Sequence, residues 1–162
     1  MNVLVTGGAG YIGSIMSRIL LEKGYDVTCL DRLFFGTDST KDIADRIKII
    51  KDDVRWFKPE VFKGIDAVFD LAALSNDPSG ELEPQKTLDI NYNGRVRVAK
   101  LAKKYGVKKY VFASTCSVYG FQEGLITEES CLDPLTTYAK ANMMAEKEIL
   151  PLADKNFSAT VL

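Results

Sequence analysis

Histidine is missing from the 162-residue sequence. Without imidazole the chain cannot form a Ser-His-Asp triad, use histidine as a general base or hold a metal through histidine, and we predict no metal site. Any proton transfer must therefore use Tyr, Lys, Asp, Glu, Cys or water.

Cysteine and long apolar runs are scarce. The three cysteines, Cys29, Cys116 and Cys131, are odd in number and widely spaced, which is typical of a reducing compartment rather than a disulfide framework. No apolar run reaches the ~18 residues that span a bilayer, and the chain enters an apolar strand without a charged leader. These features predict a cytoplasmic protein that does not bind membranes.

Charge of either sign is not in excess. The chain has 21 Lys and Arg against 22 Asp and Glu, which gives a net charge of −1. With no basic surplus, the sequence predicts no nucleic-acid partner. The length and a hydrophobic content of 46% suit a single domain with a sizeable core.

The first stretch of the chain combines an apolar strand, a glycine-rich turn and a helix. Residues 3–5 predict a strand buried on both faces, and Gly7, Gly10 and Gly13 lead into an apolar-periodic segment that begins at Tyr11. Gly7 is expected to turn tightly, Gly10 to let a ligand approach and Gly13 to let the helix pack on the strand. The free N–H groups at the helix N-terminus suit a pyrophosphate.

An acidic residue follows the second predicted strand, residues 26–30. Asp31 stands about 18 positions after Gly13, roughly where a carboxylate receives the ribose hydroxyls of a dinucleotide. A carboxylate there would repel a 2′-phosphate, so the sequence favours NAD over NADP. The adjacent Arg32 weakens this preference without reversing it.

Strand and helix patterns alternate along the whole chain. Strands are predicted near 2–6, 26–30, 46–50, 66–72 and 109–114, with another starting near 157. Helices are predicted near 11–23, 39–44, 58–63, 84–105 and 136–150. This alternation predicts an α/β fold with a doubly wound parallel sheet of the Rossmann type, and ligands at the carboxyl ends of the strands. Residues 120–137 are predicted to form a loop at that edge.

The last residues, 157–162, look like a sixth strand that is entered but not finished. We interpret the chain as a fragment truncated within that strand. A domain that ends on an edge strand is the alternative.

Several motifs occur in order along the chain: Thr6-Gly7-Gly8-Ala9-Gly10-Tyr11-Ile12-Gly13, Asp31, Asp53-Val54, Leu71-Ala72-Ala73, Asn91, Ser114-Thr115-Cys116-Ser117-Val118-Tyr119-Gly120 and Pro134 with Tyr138. As a set they resemble the extended short-chain dehydrogenase/reductases, in particular the nucleotide-sugar epimerase/dehydratase branch. The resemblance covers essentially all 162 residues. Proteins of this branch continue into a smaller substrate domain, so residues 1–162 resemble the NAD-binding domain alone.

The resemblance implies NAD as the cofactor and a UDP- or dTDP-linked sugar as the substrate. The implied cofactor-binding residues are Gly7, Gly10, Tyr11, Ile12, Gly13, Asp31, Arg32, Asp53, Val54, Leu71, Ala72, Ala73, Asn91, Tyr138 and Asn142. Asp53 and Val54 would hold the adenine edge, the former through its carboxylate. In the family, an asparagine such as Asn91 hydrogen-bonds near the site and can sit at a local helix irregularity.

The catalytic residues that the resemblance implies are Tyr138, which would transfer the proton, and Thr115, which would orient the same sugar oxygen. Ser117 is expected to hydrogen-bond the sugar. Cys116 is expected to be a buried packing residue rather than a nucleophile, because no cation adjoins it in sequence.

Asn142 is the sharpest departure from the family pattern, which has lysine four residues after the tyrosine on the same helix face. An amide can hydrogen-bond ribose hydroxyls, but it cannot stabilise a tyrosinate by charge. Lys140 is expected to be a solvated surface residue instead. Three interpretations stay open: a natural subfamily with slower or differently assisted proton transfer, an inactivating substitution, or NAD binding without catalysis. Asn142→Lys is predicted to lower the pH optimum of any activity.

The residues after Thr115 narrow the reaction. Sugar-nucleotide 4,6-dehydratases of the family carry Asp and Glu where this chain has Cys116 and Ser117, and the related decarboxylases commonly have Glu at the place of Ser117. The resemblance therefore favours a 4-epimerase, with a sugar-nucleotide reductase or dehydrogenase and a non-catalytic NAD-binding module as alternatives. Family members often pair two long helices, which predicts a possible homodimer through 84–105 and 136–150.

Overall fold

Six parallel strands form the centre of the structure, a computed structural model that describes residues 1–75 and 77–162. They are β1 (Asn2–Thr6), β2 (Asp26–Asp31), β3 (Ile47–Lys51), β4 (Ala67–Asp70), β5 (Lys109–Phe112) and β6 (Ser158–Val161). The strands lie in the order β3-β2-β1-β4-β5-β6, all parallel to their neighbours. The predicted doubly wound Rossmann sheet is confirmed, and its order reverses between β1 and β4, where such folds open a ligand crevice.

Five α-helices flank the sheet among the described residues: α1 (Tyr11–Glu22), α2 (Asp77–Leu82), α3 (Pro84–Leu88), α4 (Arg95–Lys104) and α5 (Thr137–Ile149). α1 packs on β1 and β2, where Leu20 joins Val5 and Cys29 in one apolar cluster. α4 and α5 cover the other face, where Ala102 and Ile149 join a second cluster. The two central strands, β1 and β4, lie between these layers and are largely buried on both sides, so their sequences are mostly apolar rather than alternating.

Two predicted helices are wrong in type. Residues 39–44 and 58–63 form 3₁₀ turns, Asp38–Ile43 and Pro59–Phe62, instead of α-helices. Both segments are too short to repay helix nucleation, and the polar side chains of the first compete for backbone hydrogen bonds. Such pieces close into single 3₁₀ turns.

The long helix predicted over 84–105 is interrupted. α3 ends at Leu88, a π-helical turn follows over Asp89–Gly94, and α4 begins at Arg95. Helix α2 is absent from the sequence prediction, because its Asp-Pro-Ser-Gly start has the composition of a turn. β4 also ends two residues before the predicted limit, since the Leu71 and Ala72 N–H groups donate to the Thr6 hydroxyl.

The segment after β5 contains one short 3₁₀ turn, Cys116–Tyr119, and then no further helix before α5 among residues the structure describes. The predicted loop at the carboxyl edge is therefore confirmed. Nowhere in residues 1–75 or 77–162 is there a helix with the length and apolarity that crossing a bilayer requires.

Candidate functional site

The glycine turn after β1 is built as tightly as the spacing predicts. Gly7 has a φ of +66°, a left-handed conformation that favours glycine, and its N–H donates to the Leu30 carbonyl at 2.8 Å. A Cβ on Gly13 would lie 2.1 Å from the Gly7 carbonyl oxygen. Only glycine at position 13 lets α1 pack this closely on the turn. The ligand-approach role of Gly10 stays a prediction.

The N-terminus of α1 is left uncapped at the carboxyl edge of the sheet. Gly10 is the N-cap, no side chain in the described part of the chain caps the first N–H groups, and the first turn carries no acidic residue. Tyr11 and Ile12 are 88% and 60% exposed. The partial positive charge of this 12-residue helix is therefore available to an anion. The glycine turn and the N-terminus of α1 together fit the pyrophosphate of a dinucleotide.

Asp31 lies beside the glycine turn at the end of β2. Its carboxylate accepts the Ala9 N–H at 3.0 Å and the Leu33 N–H at 2.7 Å. Each oxygen keeps further acceptor capacity, because a carboxylate offers about four lone-pair positions. The side chain is therefore fixed in place while still able to accept hydrogen bonds from ribose hydroxyls.

Asp53 is buried under two arginines. Its carboxylate accepts from the Nε and Nη2 of Arg55, both at 2.9 Å, from the Arg55 backbone N–H at 2.9 Å and from Arg32 Nη1 at 3.0 Å. Burial opposes ionisation, but the hydrogen bonds from Arg55 outweigh it and lower the pKa of Asp53. All four acceptor positions are occupied, so this geometry leaves the predicted adenine contact to the backbone.

A shallow cavity of about 200 Å³ opens beside this cluster, lined by Arg32, Lys51, Asp52, Asp53 and Trp56. Arg32 lies over the Phe34 ring at 4.6 Å, and Arg55 lies over Trp56 at 4.1 Å. The side chain of Val54 packs inward, where a Cβ on Gly94 would be 2.9 Å away. A larger cavity of about 310 Å³ lies at the amino-terminal edge of the sheet and contains none of the predicted residues.

A buried polar cluster joins the ends of β1 and β4. The Thr6 hydroxyl donates to Asp70 at 2.5 Å, and the Tyr110 hydroxyl donates to the other carboxylate oxygen. Burial raises the pKa of Asp70 and also holds the pKa of Tyr110 well above its ordinary value. Because Thr6 accepts from Leu71 and Ala72, this cluster sets the path of the predicted cofactor-lining segment through Ala73.

Asn91 is fully buried in the π-helical turn. Its Oδ1 accepts the Leu74 N–H at 2.8 Å, and its Nδ2 donates to the Leu74 carbonyl at 2.9 Å. The helix irregularity that the resemblance implies is present at this position. The side chain acts as a tether for the segment after β4 rather than a free donor at its surface.

Thr115 follows β5 and caps the 3₁₀ turn Cys116–Tyr119. Its Oγ1 accepts the Ser117 N–H and donates to the Ser117 hydroxyl, both at 3.1 Å. The expectation that Cys116 is buried is wrong, because the turn directs this residue to the surface and Cys116 is exposed. Thr115 and Ser117 are half-buried and share one hydrogen-bonded unit.

Tyr138 lies in the first turn of α5 and is 9% exposed. The start of this helix is fixed by Thr136, whose hydroxyl accepts the Ala139 N–H, and by Glu81 of α2, which accepts the Thr137 N–H at 2.6 Å. α5 also packs on the turn Cys116–Tyr119, so the structure brings Tyr138 and Thr115 to adjoining elements. Lys140 is exposed, as predicted.

Asn142 is fully buried and directed into the protein. Its Oδ1 accepts from Arg95 Nη1 at 3.0 Å, and its Nδ2 donates to the Tyr138 carbonyl at 2.8 Å. The predicted contact of this amide with ribose hydroxyls therefore has no support from its orientation. The partner that turns it inward, Arg95, was missed by the sequence analysis.

Of the two residues that the sequence analysis missed, Arg95 and Glu81, only Arg95 carries a faint sequence signal. Arg95 shares a helical face with Val98 and Ala102, both fully buried, so its spacing marks a charge on an apolar stripe. Glu81 has no such signal, because helix α2 itself was not predicted.

Known proteins match this chain over nearly all of its residues. Residues 3–162 match the NAD dependent epimerase/dehydratase family. The UDP-glucose 4-epimerase of Lactobacillus helveticus is 37% identical over 160 residues, which cover 96% of this chain and 48% of that protein. The chain thus spans about half the length of the curated relatives it matches.

Two solved structures have the same fold. MoeE5 in complex with UDP-glucose and NAD is 30% identical with a TM-score of 0.85, and the match covers 99% of this chain and 52% of that one. The UDP-glucose-4-epimerase from Stenotrophomonas maltophila, with bound NAD and formylated UDP-arabinopyranose, is 28% identical with a TM-score of 0.92, covering 99% and 52%. With sequence and fold in agreement over nearly all of its residues, the chain belongs to the NAD dependent epimerase/dehydratase family.

Proposed function

We propose that residues 1–162 form the NAD-binding portion of a nucleotide-sugar 4-epimerase. The observation that carries this proposal is the placement, at the carboxyl edge of the sheet, of the uncapped N-terminus of α1, the carboxylate of Asp31 and the first turn of α5 with Tyr138. The family name specifies NAD, and the relatives described above are 4-epimerases or hold NAD with a UDP-sugar.

The described residues divide into regions that suit successive parts of the cofactor. The N–H groups from Tyr11 onward would bind the pyrophosphate, and Asp31 would accept the hydroxyls of the adenosine ribose. The cavity beside Arg32 and Trp56 offers a planar cation and an aromatic ring to adenine. The segment after β4, residues 71–73, would lie along the middle of the dinucleotide.

Catalysis would use two hydroxyl groups of this chain. Bound NAD would supply an acceptor for the hydride from sugar C4 and return it, so that no net oxidation results. Tyr138, as the phenolate, would take the proton of the C4 hydroxyl and become the neutral phenol as the carbonyl forms, and Thr115 would hydrogen-bond the same oxygen to hold its direction. After the 4-keto sugar rotates, Tyr138 would give the proton back to oxygen while C4 regains hydride on its other face.

Calorimetric titration of the 162-residue chain with NAD and then UDP-glucose tests the cofactor assignment. We expect NAD to bind and UDP-glucose to bind weakly or not at all, because this chain spans only half the length of its relatives. Gly13→Ala should abolish NAD binding, since the new Cβ would lie 2.1 Å from the Gly7 carbonyl oxygen. Gly80→Ala is the matched control, because its Cβ meets ordinary contacts at 3.5 Å. A wild-type chain that does not bind NAD would refute the proposal.

To identify the reaction, activity must be assayed in a protein that contains this sequence and spans the full length of the relatives. Interconversion of UDP-glucose and UDP-galactose without net NADH would support the epimerase. Stoichiometric appearance or loss of NADH would instead identify a reductase or dehydrogenase. Bound NAD with neither outcome would identify a non-catalytic module.

A further inference from the structure

Arg95 is the largest fully buried side chain among the described residues, with 1% of its surface exposed. Its Nε donates to the Ala72 carbonyl at 3.1 Å, and its Nη1 donates to the Ala113 carbonyl at 2.7 Å and to Asn142 Oδ1 at 3.0 Å. The guanidinium also lies 4.5 Å from the centre of the Phe112 ring. One cation therefore joins the ends of β4 and β5 to helix α5.

These contacts all lie on the side of the site that carries Tyr138. Ala72 belongs to the segment along the predicted cofactor path. Asn142, which accepts a hydrogen bond from Arg95, in turn donates to the backbone carbonyl of Tyr138 at 2.8 Å. Burying a guanidinium is costly, and packing alone would be served as well by an apolar side chain. The buried carboxylate of Asp70 attracts this guanidinium and offsets part of that cost, but it does not account for the contacts that direct Arg95 toward α5.

Among residues 1–75 and 77–162, the other charged and titratable groups around the first turns of α5 do not supply a cation at this place. Asp70 and Tyr110 lie on the neighbouring strands, while Asp77 and Glu81 face the start of α5 from α2. Glu146 accepts from Ser114 one turn beyond Asn142. Lys140 is exposed on α5.

We propose that Arg95, which belongs to α4 and is oriented by Asn142, provides the positive charge at the end of the site that contains Tyr138. This rests on the proposed NAD site. Arg95 is then a positioning residue for the first turns of α5, and its charge disfavours the positively charged oxidised nicotinamide relative to the neutral reduced one. The structure thereby revises the expectation for Asn142→Lys, which would place a second cation against Arg95.

Binding of NAD and NADH to the 162-residue chain tests the charge. Arg95→Gln should lower the ratio of NADH affinity to NAD affinity by about threefold or more, whereas Arg95→Lys should keep that ratio within about twofold. Arg97→Gln is the matched control, because Arg97 lies over Phe57 at the same 4.5 Å but donates to the Phe57 carbonyl, away from these contacts.

Relocating the charge provides a second test. Asn142→Lys alone should lower the thermal midpoint of unfolding. Arg95→Thr combined with Asn142→Lys should recover most of that loss and keep the wild-type ratio of NADH affinity to NAD affinity. If Arg95→Gln does not fold, this pair of variants decides the question. The inference is overturned if folded Arg95→Gln has the ratio of Arg97→Gln, or if the double variant is no more stable than Asn142→Lys. A wild-type chain that binds neither dinucleotide would instead overturn the proposed function.

Discussion

Two carboxylates at the carboxyl edge of the sheet differ in the hydrogen bonds they already accept. Asp31 receives two backbone N–H groups and keeps acceptor capacity, while Asp53 is saturated by Arg55 and Arg32. The sequence analysis assigns Asp31 to the cofactor from its spacing and Asp53 from the family resemblance, and neither argument shows which side chains will contact these carboxylates. Only the first retains a side chain that can bind a ribose.

Asp31→Ser should change the choice between the two dinucleotides. We expect NAD affinity to fall about tenfold, which corresponds to one hydrogen bond to a charged group, while NADP affinity rises relative to NAD. Asp26→Ser removes the same charge from the exposed, opposite end of β2 and serves as the control. Calorimetry with both cofactors measures the effect, and an unchanged NAD to NADP ratio would contradict it.

Asp53 should make folding stability depend on acid. Its pKa is lowered in the folded state, so its stabilising effect is present above the ordinary value of 3.8 and is lost as pH falls through the folded pKa. Asp53→Asn should therefore cost about 1–3 kcal/mol at pH 7 and progressively less below pH 3.8. Urea unfolding across this range tests the prediction, which fails if the difference between the two proteins is independent of pH.

The conformation and contacts of single residues could be predicted only where the partner is local. Gly7 and Gly13 are determined by the turn in which they stand, and their conformations agree with the sequence interpretation. Asn142 could not be oriented from sequence, because the guanidinium that turns it inward belongs to a residue 47 positions away.

At the scale of elements, the π-helical turn Asp89–Gly94 decides how the segment after β4 is held. Asn91 binds Leu74 from within the turn, while Arg55 donates to Asp89 at 3.2 Å from the other side. Apolar periodicity continues through residues 84–105 whether or not one extra residue is inserted in a turn. Periodicity therefore predicts one helix and does not show the interruption, which only the family resemblance indicates at Asn91.

Replacing Asn91 should loosen this connection. Asn91→Ala leaves the part-buried Leu74 N–H and carbonyl without their partner, and we expect a loss of about 1–3 kcal/mol in the free energy of unfolding. Asn93→Ala is the matched control in the same turn, since its exposed side chain makes one weak contact to Asp89 at 3.4 Å, and its cost should stay within about 0.5 kcal/mol. Equal losses in the two variants would rule out the tether.

At the scale of the whole molecule, strand order follows from the sequence more securely than assembly does. Strands that alternate with helices leave few topologies, and right-handed crossovers reduce them to a few doubly wound orders, of which the observed order is one. The predicted homodimer through residues 84–105 and 136–150 is a different matter. Of the apolar residues on those helices, Val96 and Ile149 are buried in the core, while Met144 is 36% exposed.

Sedimentation velocity at two protein concentrations tests the dimer. If the predicted homodimer forms, the sedimentation coefficient should rise with concentration, and Met144→Glu should suppress the rise by placing a charge in the apolar contact. Ile15→Glu, on the exposed side of α1 at the other face of the sheet, should leave it unchanged. A monomer at both concentrations would remove the dimer proposal.

Cys29 lies directly beneath the glycine turn. A Cβ on Gly8 would be 2.5 Å from its sulfur, and burial raises the pKa of this thiol to about 12. Cys116 and Cys131 are exposed, so a thiol reagent would label them rapidly. The buried Cys29 would react more slowly, when the glycine turn moves away from its sulfur. The rate at which the reagent labels Cys29 would therefore report how often the glycine turn opens, without an engineered probe.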